Sequence, residues 1–303
     1  MSVPDVPTLS RGVSRASVRL LLPREHGAYG QLLFPMSIAL VLGDRGAAAL
    51  ALTTACAAAF VGHEALLVLL GHRGARAARE RRRASLAWLI GCSAVAAAAA
   101  VLGVVRAPGA AGAALLVPAG LGGVVLLFIA RHREHTTAGE ISAAVALSSC
   151  GLPIALAGGV ALDRGITCWL VFASSFAVAT VAVRSVIAAV KSPQRPATDA
   201  AYSARDQEHV DPGVHPGSPG ARLTGFGRGG PACWFAAGVI AFALVCAARG
   251  WTMWAAPLAL VPVCGLAAGL ALFPPHPRHL RAVGWSLVTA TAAAAVVLVM
   301  MLA

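Results

Sequence analysis

The sequence predicts an all-α transmembrane protein, a nine-helix bundle with its N-terminus in the cytoplasm and its C-terminus outside. Three observations predict it. Hydrophobic residues make up 58% of the 303 and charged residues 12%, with a mean hydropathy of +0.77, more apolar surface than a soluble core of this size can hide. The apolar residues fall into nine runs, each near the roughly 20 residues that a bilayer-spanning helix needs. Lys and Arg then alternate between the connections: 19 of the 24 fall in the N-terminal lead and after runs 2, 4, 6 and 8, whereas the other four connections hold one each, Arg45, Arg106, Arg164 and Arg249. Cytoplasmic loops retain cations, so the alternation sets the orientation. It also supports the number nine, because a miscount by one run would scramble it. The remaining cation, Arg184, lies inside run 6.

Residues 1–22 form a polar lead with Arg11, Arg15 and Arg19 and no acid after Asp5. It lacks the apolar core of a signal peptide and is expected to stay in the cytoplasm, disordered and in loose contact with anionic lipid. The runs cover about 28–43, 47–71, 85–105, 109–130, 139–162, 165–190, 232–248, 251–273 and 280–302. Most breaks between them are tight and carry Gly, Pro or charge, which forces antiparallel neighbours. Residues 191–231 are the one long connection, rich in Pro and Gly and holding Asp199, Asp206, Glu208 and Asp211. A flexible cytoplasmic loop is expected there, dividing helices 1–6 (23–190) from helices 7–9 (232–303).

The net charge of +12 would point to nucleic acid in a soluble protein; here the loop distribution assigns it to membrane orientation, and membrane lipids are the expected partners. The seven cysteines lie inside apolar runs without metal-ligand spacing and read as small packing residues. There is no Gly-rich phosphate loop, no HExxH and no Ser/His/Asp arrangement, so no cofactor or metal is expected. Frequent small residues suit close helix packing, and Pro35, Pro118, Pro153, Pro257 and Pro262 fall in or near spans, where they are expected to kink them.

An ionisable group in hydrocarbon costs several kcal/mol unless paired or hydrated, so each one marks a candidate site. Arg24, Glu25 and His26 stand before run 1, His63 and Glu64 in run 2, Glu140 at the start of run 5 and Arg184 in run 6. Glu64 precedes Gly71, and Arg184 precedes Lys191, by seven residues each, about 10 Å at 1.5 Å per residue. Matching depth predicts a Glu64–Arg184 pair and one cavity open to the cytoplasm. Arg73 and Arg76 begin the run Arg73, Arg76, Arg79, Arg81, Arg82, Arg83, read as a basic, lipid-facing loop able to receive a phosphate or pyrophosphate.

The string Pro23-Arg24-Glu25-His26-Gly27-Ala28-Tyr29 resembles the opening motif of the YwiC-like family of multi-pass membrane proteins, which is followed by an apolar helix and a Pro, here Pro35. The resemblance extends to Glu64, the basic segment after it, Glu140 and Arg184. Tyr29 stands where Trp is usual, and the long acidic loop looks like an insertion. A looser similarity, to the UbiA-type prenyltransferases, lies in Arg133-Glu134-His135-Thr136-Thr137 and the Gly151-Leu152-Pro153 segment. It implies nine helices and a cytoplasm-facing active site. The two Asp-rich motifs that hold Mg²⁺ in that family are replaced by His63-Glu64 with the arginine run and by Arg184 with Lys191, which removes the oxygen ligands Mg²⁺ requires.

These readings leave three classes open: a plasma-membrane protein whose basic cavity binds an anionic amphiphile such as a lipid or isoprenoid phosphate, with any enzyme activity being prenyltransferase-like; a proton-coupled transporter using His63, Glu64 and Glu140; and a structural membrane subunit.

Overall fold

The structure, a computed structural model, describes residues 26–107, 109–191, 230–273, 275–276 and 279–303. The lead, Arg24, Glu25 and most of the long connection, 192–229, lie outside the described residues. Among the described residues there is no strand. The helices are α1 (His26–Leu42), α2 (Ala47–Leu69), α3 (Ala75–Arg106), α4 (Gly109–Ala114), α5 (Leu116–Ala130), α6 (Thr137–Ser149), α7 (Gly151–Ala157), α8 (Leu162–Lys191), α9 (Gly230–Ala248), α10 (Ala255–Leu272) and α11 (Leu280–Leu302).

Taken with α4–α5 and α6–α7 as continuous stretches, eight of these are long and apolar enough to cross a membrane, and Gly27–Leu42 is a shorter apolar helix. They match the nine runs one to one, and the chain is a multi-pass, all-helical membrane protein. The two interruptions have a common cause. Proline cannot donate to the carbonyl four residues back; Pro118 would face Ala114 and Pro153 would face Ser149, the last residues of α4 and α6. The ladder tightens there to Leu115 N–H donating to Gly112 (3.2 Å) and Cys150 N–H to Leu147 (3.3 Å). Pro35 and Pro262 lie inside unbroken helices.

The expected basic loop is helix instead. α3 begins at Ala75, adding about 15 Å to the expected span at 1.5 Å per residue. Alanine and arginine are good helix formers, and the Arg76–Glu80 pair (2.7 Å) adds i,i+4 support.

The chain divides into two compact units, Met1–Gly122 with Ala146–Trp169, and Gly123–Val145 with Leu170–Ala303. In the first, the short α7 is central: it packs against α1, α2 and α4, and Gly151 through Leu156 are all buried. Leu32, Met36 and Ala39 of α1 and Ala49, Leu52, Cys56 and Phe60 of α2 repeat every three or four residues and meet Ile154 and Ala155. Backbones come very close here. A Cβ on Gly151 would stand 2.9 Å from the Pro35 carbonyl oxygen, and Asp44 N–H donates to the Gly158 carbonyl at 2.8 Å.

In the second unit α10 packs between α9 and α11. Small buried residues, Ala259, Val263 and Ala267 on α10 and Ala290 and Ala294 on α11, permit the approach that lipid-embedded helices need. The α8 segment of this unit buries Val171, Phe172, Val178 and Val186, with the rings of Phe172 and Phe176 stacked 6.1 Å apart.

Candidate functional site

The first unit holds a buried ion pair made by a helix end. The last turn of α2 closes with Gly71 N–H donating to Val68 (3.1 Å) and His72 N–H to Leu67 (3.0 Å), the Schellman pattern, with Gly71 at φ +82°. Gly74 follows at φ +95°, and the two left-handed glycines turn the chain back along the helix it has just left. Arg73, between them, reaches Glu64: Nε donates to Oε1 at 2.7 Å and Nη2 to Oε2 at 2.8 Å. Glu64 is 2% exposed. This bidentate geometry is the strong form of the interaction, and the carboxylate needs it, because an unpaired charge at that burial costs several kcal/mol.

One residue of the opening motif, Tyr29, comes to the same face of α2. Tyr29 packs edge-on against Phe60, ring centroids 5.2 Å apart, and Phe60 lies one turn before Glu64. His26 is the first residue of α1. His63 is half-buried beside Glu64. Arg76 belongs to the exposed extension of α3, where it pairs with Glu80.

Two polar side chains at the start of the apolar part of α3 escaped the sequence reading. The Ser85 hydroxyl and the Trp88 indole N–H are buried and find no hydrogen-bond partner among the described residues. Nothing in the sequence separates Ser85 from helical hydroxyls that return to their own helix, such as Thr53, Thr54, Thr180 and Ser185, which donate to the carbonyls four residues back; the Ser175 hydroxyl of α8 is likewise buried without a partner among the described residues.

The second unit builds its pair on a capped helix start. Thr136 Oγ1 accepts from Gly139 N–H at 3.1 Å and donates to the Arg133 carbonyl at 2.7 Å. Thr136 is therefore the N-cap of α6. A side chain at Gly139 would stand 2.5 Å from the Arg133 carbonyl oxygen. Glu140, one turn in, receives Arg184 Nε at 2.8 Å and Nη2 at 2.7 Å, and the same guanidinium donates to the His135 carbonyl. Helix α5 ends before this loop in a Schellman pattern with His132, not Gly, at φ 53°.

The expected Glu64–Arg184 pair is therefore replaced by two pairs, Glu64–Arg73 in one unit and Glu140–Arg184 in the other. Depth along the membrane normal was the only coordinate available from the sequence, and it cannot register a loop that folds back. The two pairs also differ in weight. Glu140 and Arg184 are 39% and 35% exposed, so Glu140→Gln is expected to cost no more than about 1 kcal/mol; thermal melts in detergent check this against the Glu64 variants described below.

Among the described residues no group of three or more His, Cys, Asp and Glu is placed to hold a metal ion. Residues 22–155, a little under half of the chain, match the family model described as YwiC-like protein. The matched segment contains the opening motif, Glu64, Arg73 and Glu140, and Arg184 lies beyond it. No curated protein and no solved structure matches the chain.

Proposed function

With residues 22–155 matching the YwiC-like family, we propose that this multi-pass membrane protein binds an anionic amphiphile, a lipid or isoprenoid phosphate, at the α2–α3 end of its first unit, on the cytoplasmic face of the plasma membrane. One observation carries the reading: the arginine run is a rigid helical extension of a membrane span. Arg76, Arg79 and Arg83 follow at helical spacing on one exposed side of α3, and the helix passes without a break into the apolar residues from Leu86 onward. A phosphate group meets the cations while its hydrocarbon lies along the same helix in the bilayer. Arg73 is held by Glu64 and braces the turn from which the extension starts. The cytoplasmic placement is supported by the cation alternation among the loops.

The test is retention of lipid through purification in neutral detergent. A phosphate amphiphile is expected in organic extracts of the wild type. In the variant carrying Arg76→Gln, Arg79→Gln and Arg83→Gln, its affinity should fall on the order of 100-fold at about 1 kcal/mol per cation. Equal retention by both proteins would remove the reading.

A further inference from the structure

We propose that Cys56 and Cys150 are a redox-sensitive pair, which a peroxide converts to a disulfide that fastens the break between α6 and α7 to α2. Both are free thiols. Cys56 lies in the core of the first unit at 8% exposure, and Cys150 packs against the same cluster of α1, α2 and α7 side chains. Their side chains hydrogen-bond each other, although 94 positions separate them in the sequence. The Cys150 thiol also donates to the Ala146 carbonyl at 3.9 Å, a further bond that holds the side chain in place.

The pair sits where a covalent bond has most to hold. Cys150 occupies the gap between α6 and α7, where Pro153 already interrupts the helical ladder, so a small shift there breaks few hydrogen bonds. Helix α7 is the one that α1, α2 and α4 all pack on, and α2 carries Glu64. A disulfide needs its two Cβ atoms about 3.8 Å apart, and thiols already in hydrogen-bond contact need little movement to reach it. Cys56 is nine residues from the start of α2 and thirteen from its end, about 14 and 20 Å at 1.5 Å per residue. The charged thiol reductants that keep exposed cysteines reduced therefore do not reach the pair, whereas a small uncharged peroxide crosses the bilayer. One sulfur attacks a peroxide oxygen, the O–O bond breaks, and one water leaves, so that this sulfur becomes a sulfenic acid. The other sulfur displaces the hydroxyl, which departs as a second water with the remaining thiol proton. Each sulfur gives up one electron and the peroxide takes up both. The chemistry needs no bound amphiphile.

The full chain is purified in neutral detergent under reductant, freed of it and exposed to hydrogen peroxide. Remaining thiols are blocked with N-ethylmaleimide after unfolding, and tryptic peptides are read by mass spectrometry with and without dithiothreitol. The expected product joins the peptide between Arg45 and Arg73 to that between Arg133 and Arg164, two hydrogens lighter than their sum. The bond closes a loop of about 95 residues in the unfolded chain and should raise the melting temperature by about 5 °C or more, a rise that dithiothreitol removes. Cys56→Ala and Cys150→Ala should each abolish the link and the rise. Cys233→Ala should change neither, since the Cys233 thiol donates to the Ala268 carbonyl at 3.8 Å. Comparing the oxidised with the reduced wild type needs no substitution, so a variant that fails to fold leaves the test intact. Sulfinic or sulfonic acid at the two positions without a link, or maleimide on both at a peroxide dose that oxidises Cys233, overturns the inference. So does a linked protein that melts with the reduced one, because the bond then fastens nothing.

Discussion

Arg73→Gln is expected to destabilise the protein by about 3–5 kcal/mol, the largest effect of any single substitution at the ion pairs. The loss comes from what remains behind. Glu64 is 2% exposed, and both its carboxylate oxygens are held by the one guanidinium, so without Arg73 it must stay charged and unpaired or take up a proton. Glu64→Gln leaves Arg73 at 30% side-chain exposure, with a route to water, and should cost less. The double variant should recover much of the Arg73→Gln loss, because two neutral amides can bond each other. A double-mutant cycle read by thermal melting in detergent measures the coupling. Additive losses would mean that the pair is a contact without energetic weight.

Gly151→Ala should cost about 1–3 kcal/mol, the usual penalty for overpacking a tight interior. The new methyl would stand 2.9 Å from the Pro35 carbonyl oxygen and 3.1 Å from its carbon. These are backbone atoms that cannot rotate aside, so α7 and α1 would have to separate. Because α7 also touches α2 and α4, the strain would spread through the first unit. Gly123 has nothing within 4 Å of the same added atom, and Gly123→Ala is the matched control. A Gly151→Ala melting temperature equal to that of the control would show that the α1–α7 contact tolerates a methyl.

Among the described residues, the eight apolar helices of spanning length and the shorter one before them were legible because hydropathy averages over many residues. Finer features were legible only where one residue sets the geometry. Pro118 and Pro153 were marked as kink sites, and both interrupt a helix; Pro35 and Pro262 were marked equally, and their helices continue. Proline removes one hydrogen bond everywhere, and neighbouring packing decides whether the ladder breaks. The arginine run was misread as a loop because polarity marked the end of the hydrocarbon, which is not the end of a helix rich in alanine and arginine. Glu64 and Arg184 were recognised as needing partners, and both have one. Their partners were hidden because Arg73 reaches Glu64 through two left-handed glycines, and Glu140 meets Arg184 across 44 residues of sequence. Ser85 and Trp88 gave no signal, since a serine and a tryptophan at the edge of a span are ordinary membrane-interface residues until their polar atoms are found buried.

Photo-crosslinking tests the central claim, a phosphate-amphiphile site at the α2–α3 end of the first unit, most directly. The protein is reconstituted in neutral vesicles with a trace of phosphatidic acid carrying a diazirine close to its headgroup, irradiated, and mapped by peptide mass spectrometry. Labelling is expected to concentrate between Phe60 and Ile90, to disappear when unlabelled phosphatidic acid is added, and to fall in the triple arginine variant. Labelling spread evenly over exposed apolar residues such as Val101, Leu102, Val105, Leu126 and Leu127, unchanged by competitor, would contradict it.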